Sequence, residues 1–187
     1  CGGSDGLQIE VVNVPAAFAG LDFSICEGVD SVMVGSFTNS NTGTEQYSWS
    51  PATNLSDATI SSPTLTATTT TTYTLTVNSG ICASSDDVVV TVVPQSDATI
   101  NASGPYCADI AAVQLTSIES GGTWSGTGIT NASTGTFDPA VATPGTYTVT
   151  YSIGGFCPST DTEDFVVWDV PDGTITPAGP FCISELP

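Results

Sequence analysis

The stretch CASSDDVVVTVVP at residues 82–94 recurs in modified form twice more, as CPSTDTEDFVVWDVP at residues 157–171 and CGGSDGLQIEVVNVP at residues 1–15. All three copies share Cys-x-x-x-Asp, an apolar run and Val-Pro. Runs of Val, Thr and aromatic residues favour β-strands, and proline does not continue a hydrogen-bonded ladder. Each copy is therefore predicted to contain the last strand of a small β-sheet domain.

The spacing of the cysteines gives the size of the repeating unit. Cys26, Cys107 and Cys182 are separated by 81 and 75 residues. These periods are longer than the 20 to 50 residues of solenoid repeats and are typical of small domains in tandem. We expect the chain to be a segment of a longer protein. The predicted parts are the last strand of a preceding repeat (1–14), repeat 1 (15–93), repeat 2 (94–170) and the first strand of a following repeat (171–187).

The predicted fold class is all-β, with tandem immunoglobulin-like β-sandwich domains stapled by disulfides. Short apolar runs alternate with turn signals such as Asn-Thr-Gly and Ser-Pro, at the spacing of a sandwich. Predicted strands lie near 31–37, 45–50, 63–66, 72–78 and 87–93, and near 112–118, 122–125, 146–152 and 164–169. The landmarks Cys26, Trp49, Tyr73 and Cys82 have the counterparts Cys107, Trp124, Tyr147 and Cys157.

The charge composition excludes several classes of function. The 187 residues contain no Lys, Arg or His but 19 Asp and Glu, a formal net charge of −19. Nucleic-acid binding needs cationic side chains on phosphates, and anionic membrane surfaces attract basic segments. Serine and cysteine triads and histidine zinc sites need an imidazole. We therefore expect no enzyme activity, no nucleic-acid partner and no membrane insertion by this segment.

The six cysteines indicate an oxidising, extracellular environment. The predicted pairs are Cys26–Cys82 and Cys107–Cys157, which would join the entry of each repeat to the start of its last strand. Cys1 and Cys182 would pair with cysteines outside these 187 residues. Thiolate metal or redox chemistry is the rival interpretation, but the sequence has no Cys-x-x-Cys.

Two further candidate sites follow from short patterns. Carboxylates near the end of repeat 2 are candidate Ca²⁺ ligands, because hard oxygen donors suit this ion. A solvated acidic surface without any cofactor is the alternative. Ser31, within Asp30-Ser31-Val32, is a candidate site of O-glycosylation. The candidate calcium ligands are Asp161, Glu163, Asp164, Asp169 and Asp172.

Several stretches of both repeats resemble one family of surface proteins. They are YSWSPATNLS (47–56) and TTTTTYTLTV (68–77) in repeat 1, and GGTWSGTG (121–128), GTFDP (135–139) and PGTYTVTY (144–151) in repeat 2. These stretches resemble the tandem repeats of giant cell-surface adhesins of gliding Bacteroidetes. The resemblance implies export by the type IX secretion system, anchoring at the outer membrane, and a filament used in adhesion or gliding motility.

Two kinds of function remain open at this point. The chain is expected to be a structural and adhesive segment of an extracellular filament on the cell surface, with neighbouring repeats or copies of itself as partners. The alternative is an immunoglobulin-like module of a secreted protein that binds a glycan or a protein, with or without calcium. Spacer domains of a secreted enzyme are a third interpretation.

Overall fold

The computed structural model describes Gly6, residues 13–38 and residues 45–174. The chain divides into two compact units, Cys1–Gln95 and Ser96–Pro187. The segments 1–14 and 171–187 lie largely outside the described residues. The strands that the sequence predicts for them, from a preceding and a following repeat, stay predictions.

The strands of the first unit are β1 (Ala16–Phe18), β2 (Phe23–Cys26), β3 (Ser31–Val32), β4 (Ser36–Thr38), β5 (Gln46–Ser50), β6 (Thr64–Leu65), β7 (Thr71–Ser79) and β8 (Cys82–Val93). The main sheet has the strand order β2-β8-β7-β5, and the pairs β1-β4 and β3-β6 form two smaller sheets. β2 is parallel to β8, whereas the other pairs are antiparallel. The first unit is therefore almost entirely β-structure.

Alternation along the long strands builds the core of the first unit. Tyr73, Leu75 and Val77 of β7 are fully buried, and the threonines between them are not. Residues from the main sheet and from the small sheets meet in one cluster, which makes the unit a two-layered sandwich. The Tyr73 hydroxyl donates a hydrogen bond to the Thr53 carbonyl oxygen (3.0 Å), and the Trp49 indole Nε1–H donates to the Ile60 carbonyl oxygen (3.0 Å).

The second unit contains β9 (Tyr106–Cys107), β10 (Val113–Gln114), β11 (Thr123–Ser125), β12 (Ile129–Asn131), β13 (Thr136–Phe137), α1 (Pro139–Ala142), β14 (Gly145–Ile153) and β15 (Ser159–Trp168). Its two sheets have the strand orders β11-β14-β15-β9 and β10-β13-β12. β9 is parallel to β15, as β2 is to β8 in the first unit. In both units a short strand that ends in a cysteine thus runs parallel to the last strand.

Aromatic side chains fill the core of the second unit. The rings of Trp124 and Tyr151 lie 4.4 Å apart between centroids, and Phe137 packs against Phe165 at 5.7 Å. The Tyr151 hydroxyl donates to the Glu119 carbonyl oxygen (3.0 Å) and accepts from the Gly122 amide (2.7 Å). This buried hydroxyl group therefore has both a donor and an acceptor partner within the unit.

The register corrects one predicted equivalence between the units. Trp49 is opposite Leu75, but Trp124 is opposite Tyr151. The residue two positions before Leu75 is Tyr73, and the residue two positions before Tyr151 is Val149 rather than Tyr147. The predicted equivalence of Tyr73 and Tyr147 is therefore wrong. The order of residues in the sequence does not show that the buried tyrosine opposite Trp124 is Tyr151.

The prediction of an all-β chain is confirmed, and the long strands β7 and β14 are within one residue of the predicted bounds. The last strands are longer than predicted. β8 begins at Cys82 instead of residue 87, and β15 begins at Ser159 instead of residue 164. The cysteine of the Cys-x-x-x-Asp motif is therefore the first residue of the last strand in the first unit and lies two residues before that strand in the second.

Candidate functional site

In each unit one cysteine ends the strand that runs parallel to the last strand. Cys26 is in register with Val93, and the Glu27 amide donates to the Val93 carbonyl oxygen (2.9 Å). A turn follows, in which the Val29 amide donates to the Cys26 carbonyl oxygen (3.1 Å). The second unit repeats this geometry at Cys107, whose partner in the register is Trp168. We call Cys26 and Cys107 the turn cysteines.

The second cysteine of each unit lies at the opposite end of the last strand. Cys82 is the first residue of β8 and is opposite Ser79 at the tip of the β7-β8 hairpin. Val93, beside Cys26, is eleven residues further along the same strand. At about 3.3 Å per residue this separation is about 36 Å. Cys157 likewise precedes β15 at the tip of the β14-β15 hairpin, so we call Cys82 and Cys157 the tip cysteines.

Neither predicted disulfide pair is present in the structure. Cys26 and Cys157 are disulfide-bonded, and the thiols of Cys82 and Cys107 are free. A disulfide needs Cα atoms within about 7 Å, so a turn cysteine cannot reach the tip cysteine of its own unit. The predicted pairs Cys26–Cys82 and Cys107–Cys157 are therefore wrong. Cys1 and Cys182 lie outside the described residues.

The serine and aspartate that follow each tip cysteine hold the first segment of their own unit. In the first unit, Ser84 Oγ accepts a hydrogen bond from the Ala17 amide (2.8 Å), and Asp86 Oδ2 accepts one from the Ala19 amide (2.8 Å). In the second unit, Ser159 Oγ accepts from the Ala98 amide (3.4 Å) and Asp161 Oδ2 accepts from the Ile100 amide (2.8 Å). The repeated Cys-x-Ser-x-Asp pattern is thus a structural clamp, which the sequence analysis did not recognise.

Replacing Asp86 with alanine is expected to destabilise the first unit by about 1–3 kcal/mol. The change leaves the amide of the buried Ala19 without its acceptor, and an unpaired buried donor costs about that much. Thermal and urea unfolding of the full chain, followed by circular dichroism, would measure it.

The neighbouring Asp87 supplies the matched control, because its side chain is exposed and loses the same unit of charge. Asp87→Ala should change stability by less than about 0.5 kcal/mol. Equal destabilisation by the two variants would show that Asp86 is not a clamp.

The five candidate calcium ligands do not converge on one site. Strand alternation places Asp161 and Asp164 on opposite faces of β15, and each accepts a hydrogen bond within the unit, from the Ile100 amide and from the Thr148 hydroxyl. Asp169 Oδ1 accepts from the Val170 amide (2.9 Å), and Asp172 Oδ1 accepts from the Thr174 amide (2.9 Å). Glu163 is half-buried. Within residues 13–38 and 45–174, no three Asp, Glu or Cys side chains form a group that could hold a metal ion.

Some acidic side chains instead order local turns. The hydroxyl and the amide of Thr99 donate to Asp97 and lower the pKa of its carboxyl group below the usual value. Thr59 lowers the pKa of Asp57 in the same way, and the amide and hydroxyl of Thr174 lower the pKa of Asp172. All three carboxyl groups are exposed and lie in short Asp-x-Thr turns.

Two shallow cavities lie on the surfaces of the units. One of about 240 Å³ in the second unit is lined by hydroxyl side chains, including Ser117, Ser120 and Thr134, above Trp124 and Tyr151. The other, about 220 Å³ in the first unit, is mostly apolar and includes Ser31, the candidate glycosylation site. Ser31 is half-buried in β3. Every buried polar side-chain atom in the described part of the chain has a hydrogen-bond partner. No such atom therefore needs a ligand to satisfy it.

Solved structures share the fold. The extracellular domains 3–5 of Drosophila OTK match 87% of this chain with a TM-score of 0.51 and 14% sequence identity. This chain spans 63% of the length of that structure. Each unit is an immunoglobulin-like β-sandwich. The predicted fold class is therefore confirmed.

Two further similar structures have TM-scores below 0.5 and carry no argument. Drosophila N-cadherin domains EC1–4 match 85% of this chain and 50% of their own chain, with 14% identity and a TM-score of 0.48. A SusE-like surface-located polysaccharide-binding protein of Bacteroides thetaiotaomicron matches 85% of this chain and 34% of its own, with 10% identity and a TM-score of 0.36. No protein-family model and no curated protein matches the chain. The described residues contain no helix with the length and apolar character to cross a membrane.

Proposed function

We propose that this chain is a structural and adhesive segment of an extracellular filament on a bacterial surface. The proposal rests on the structural roles of the residues that recur in both units. The serine and aspartate of the repeated motif clamp their own unit, and the two turn cysteines occupy equivalent turns. Residues that recur in both units thus build a sandwich or mark its end, as expected of interchangeable stalk repeats.

The finer identity of the filament rests on the resemblance of its motifs to giant adhesins of gliding Bacteroidetes. We propose the same export route, the type IX secretion system, and the same use in adhesion or gliding. Oxidised cysteines support an extracellular location, because disulfides persist outside the reducing cytosol. The partners would be neighbouring repeats or further copies, and the segment would have no catalytic role.

A glycan-binding module is the second candidate function. The hydroxyl-lined cavity in the second unit favours it, since hydroxyl groups can hydrogen-bond a sugar. However, Trp124 and Tyr151 beneath this cavity are 4% and 2% exposed, so neither ring offers a face for stacking. One saturable glycan site on the second unit alone would favour a binding module over interchangeable stalk repeats.

Detection on intact cells tests the proposed location. Antibodies against this chain should label unpermeabilised cells of the source organism, and proteinase K should remove the signal. Trypsin serves as the matched control and should leave the chain uncut, because it has no Lys or Arg. Loss of the gene should reduce attachment to surfaces. Labelling that requires permeabilisation would contradict an extracellular filament.

The net charge predicts that copies of the protein associate into bundles at acidic pH. At neutral pH the charge of −19 keeps copies apart, and carboxyl groups become protonated as the pH falls toward the sequence pI of about 4.1. Light scattering should therefore rise between pH 7 and pH 3.5, with far-UV circular dichroism confirming that the β-structure is retained. Scattering that stays flat while the fold persists would show that charge repulsion does not keep copies apart.

A further inference from the structure

We propose that Cys82 and Cys107 are covalent linkage sites for further repeats, in which the turn cysteine Cys107 of one copy forms a disulfide with the tip cysteine Cys82 of another copy. The partner at each site is another copy of this repeat. When the purified protein is oxidised, a second chain supplies this copy. The inference deepens the proposed filament function, because it states how repeats are held together.

Equivalent cysteines differ in oxidation state. The bonded set contains one turn cysteine, Cys26, and one tip cysteine, Cys157. The free set also contains one of each type, Cys107 and Cys82. Because two backbone hydrogen bonds of the Cys26 turn recur at Cys107, Cys107 occupies a turn equivalent to that of the bonded Cys26.

Neither free cysteine can reach the other type of cysteine within its own repeat. The turn and tip cysteines lie at opposite ends of the last strand, about 36 Å apart in the first unit. No side-chain movement closes that distance, since a disulfide joins Cα atoms less than about 7 Å apart. A disulfide partner for Cys82 or Cys107 must therefore come from outside its own repeat.

The surface around the two free thiols is apolar and exposed. Cys107 is exposed, and Trp168, its neighbour in the register, is 61% exposed. Ile81, directly before Cys82, is 93% exposed at the hairpin tip. Both thiols thus lie beside large apolar side chains that another repeat can cover. A covalent link also suits a chain whose charge of −19 opposes association of its copies.

The chemistry is thiol–disulfide exchange with a small disulfide such as oxidised glutathione. The Cys107 thiolate attacks that disulfide, forms a mixed disulfide and releases one glutathione thiolate. The Cys82 thiolate of another copy then attacks the Cys107 sulfur and releases the second glutathione thiolate. Two protein thiols become one disulfide while one glutathione disulfide becomes two thiols, so atoms and electrons balance.

Oxidation of the full chain tests the linkage. Cys1→Ser and Cys182→Ser remove the two cysteines outside the described residues, and the protein is incubated with oxidised glutathione at pH 8 and 0.5 M salt to screen repulsion. Non-reducing electrophoresis should show a ladder of multimers that reductant collapses. Chymotryptic peptide mapping should join Cys82 of one copy to Cys107 of another, and Cys26 and Cys157 should remain bonded.

Single variants give the matched controls. Cys82→Ser and Cys107→Ser each leave only one type of free cysteine, so each should abolish the ladder. Monomers capped by glutathione, an intrachain Cys82–Cys107 bond, or dimers joined through two like cysteines would overturn the proposal. Surface labelling of cells does not depend on the linkage, so it distinguishes a failed linkage from a failed filament.

Discussion

Replacing Trp124 with alanine is expected to destabilise the second unit by about 3–5 kcal/mol, the usual cost of removing a large buried aromatic side chain. Trp124 is 4% exposed and its ring lies 4.4 Å from that of Tyr151. The change therefore opens a cavity beside a second aromatic ring. At about 4–8 °C per kcal/mol for a domain of 60–100 residues, the midpoint of the second unit should fall by at least about 12 °C in calorimetry of the full chain.

Trp168 provides a control of the same residue type in the same unit. Its side chain is 61% exposed at the end of β15, so Trp168→Ala removes little buried contact. We expect it to cost less than about 1 kcal/mol. Similar shifts for the two variants would mean that the aromatic pair of Trp124 and Tyr151 does not support the core.

Replacing Gly128 with alanine should destabilise the second unit by about 2–5 kcal/mol. Gly128 has φ +89°, a conformation that costs other residues about 1–2 kcal/mol. An added Cβ would also lie 2.5 Å from Cε2 of the buried Phe137, and relieving such an overlap costs about 1–3 kcal/mol. Urea unfolding of the full chain measures the sum of both effects.

Gly121 separates the two contributions. Its φ is +98°, but an added Cβ would meet no atom within 4 Å. Gly121→Ala should therefore cost only about 1–2 kcal/mol for the backbone conformation. If the Gly121 and Gly128 variants were equally destabilised, the close packing of Gly128 against Phe137 would not be what this glycine provides.

The sequence carried enough information to predict the sandwich but not the positions of its cysteines. Alternation of apolar residues and threonine located β7 and β14 within one residue, because strand periodicity is a local signal. β2 has only four residues, and its parallel pairing with β8 is a contact between distant parts of the chain. No local pattern gives that pairing, and without it Cys26 could not be placed far from Cys82.

Local sequence patterns also do not predict the roles of the repeated polar residues. Asp86 and Asp161 could be recognised as parts of a motif, but their partners, the Ala19 and Ile100 amides, are more than 60 residues away in the chain. The acids proposed for calcium are near each other in sequence, yet alternation along β15 turns Asp161 and Asp164 to opposite faces. A comparison of serine and aspartate across the repeats was the available signal for the clamp, since both units carry them at the same distance after the tip cysteine.

Electron microscopy of the native full-length protein under non-reducing conditions tests the central claim most directly. We expect a long fibre of regularly spaced beads, one for each 75 to 81 residues, which are the two separations between Cys26, Cys107 and Cys182. A compact particle without such beads would contradict the filament, and a binding module within another kind of protein would then be the better explanation.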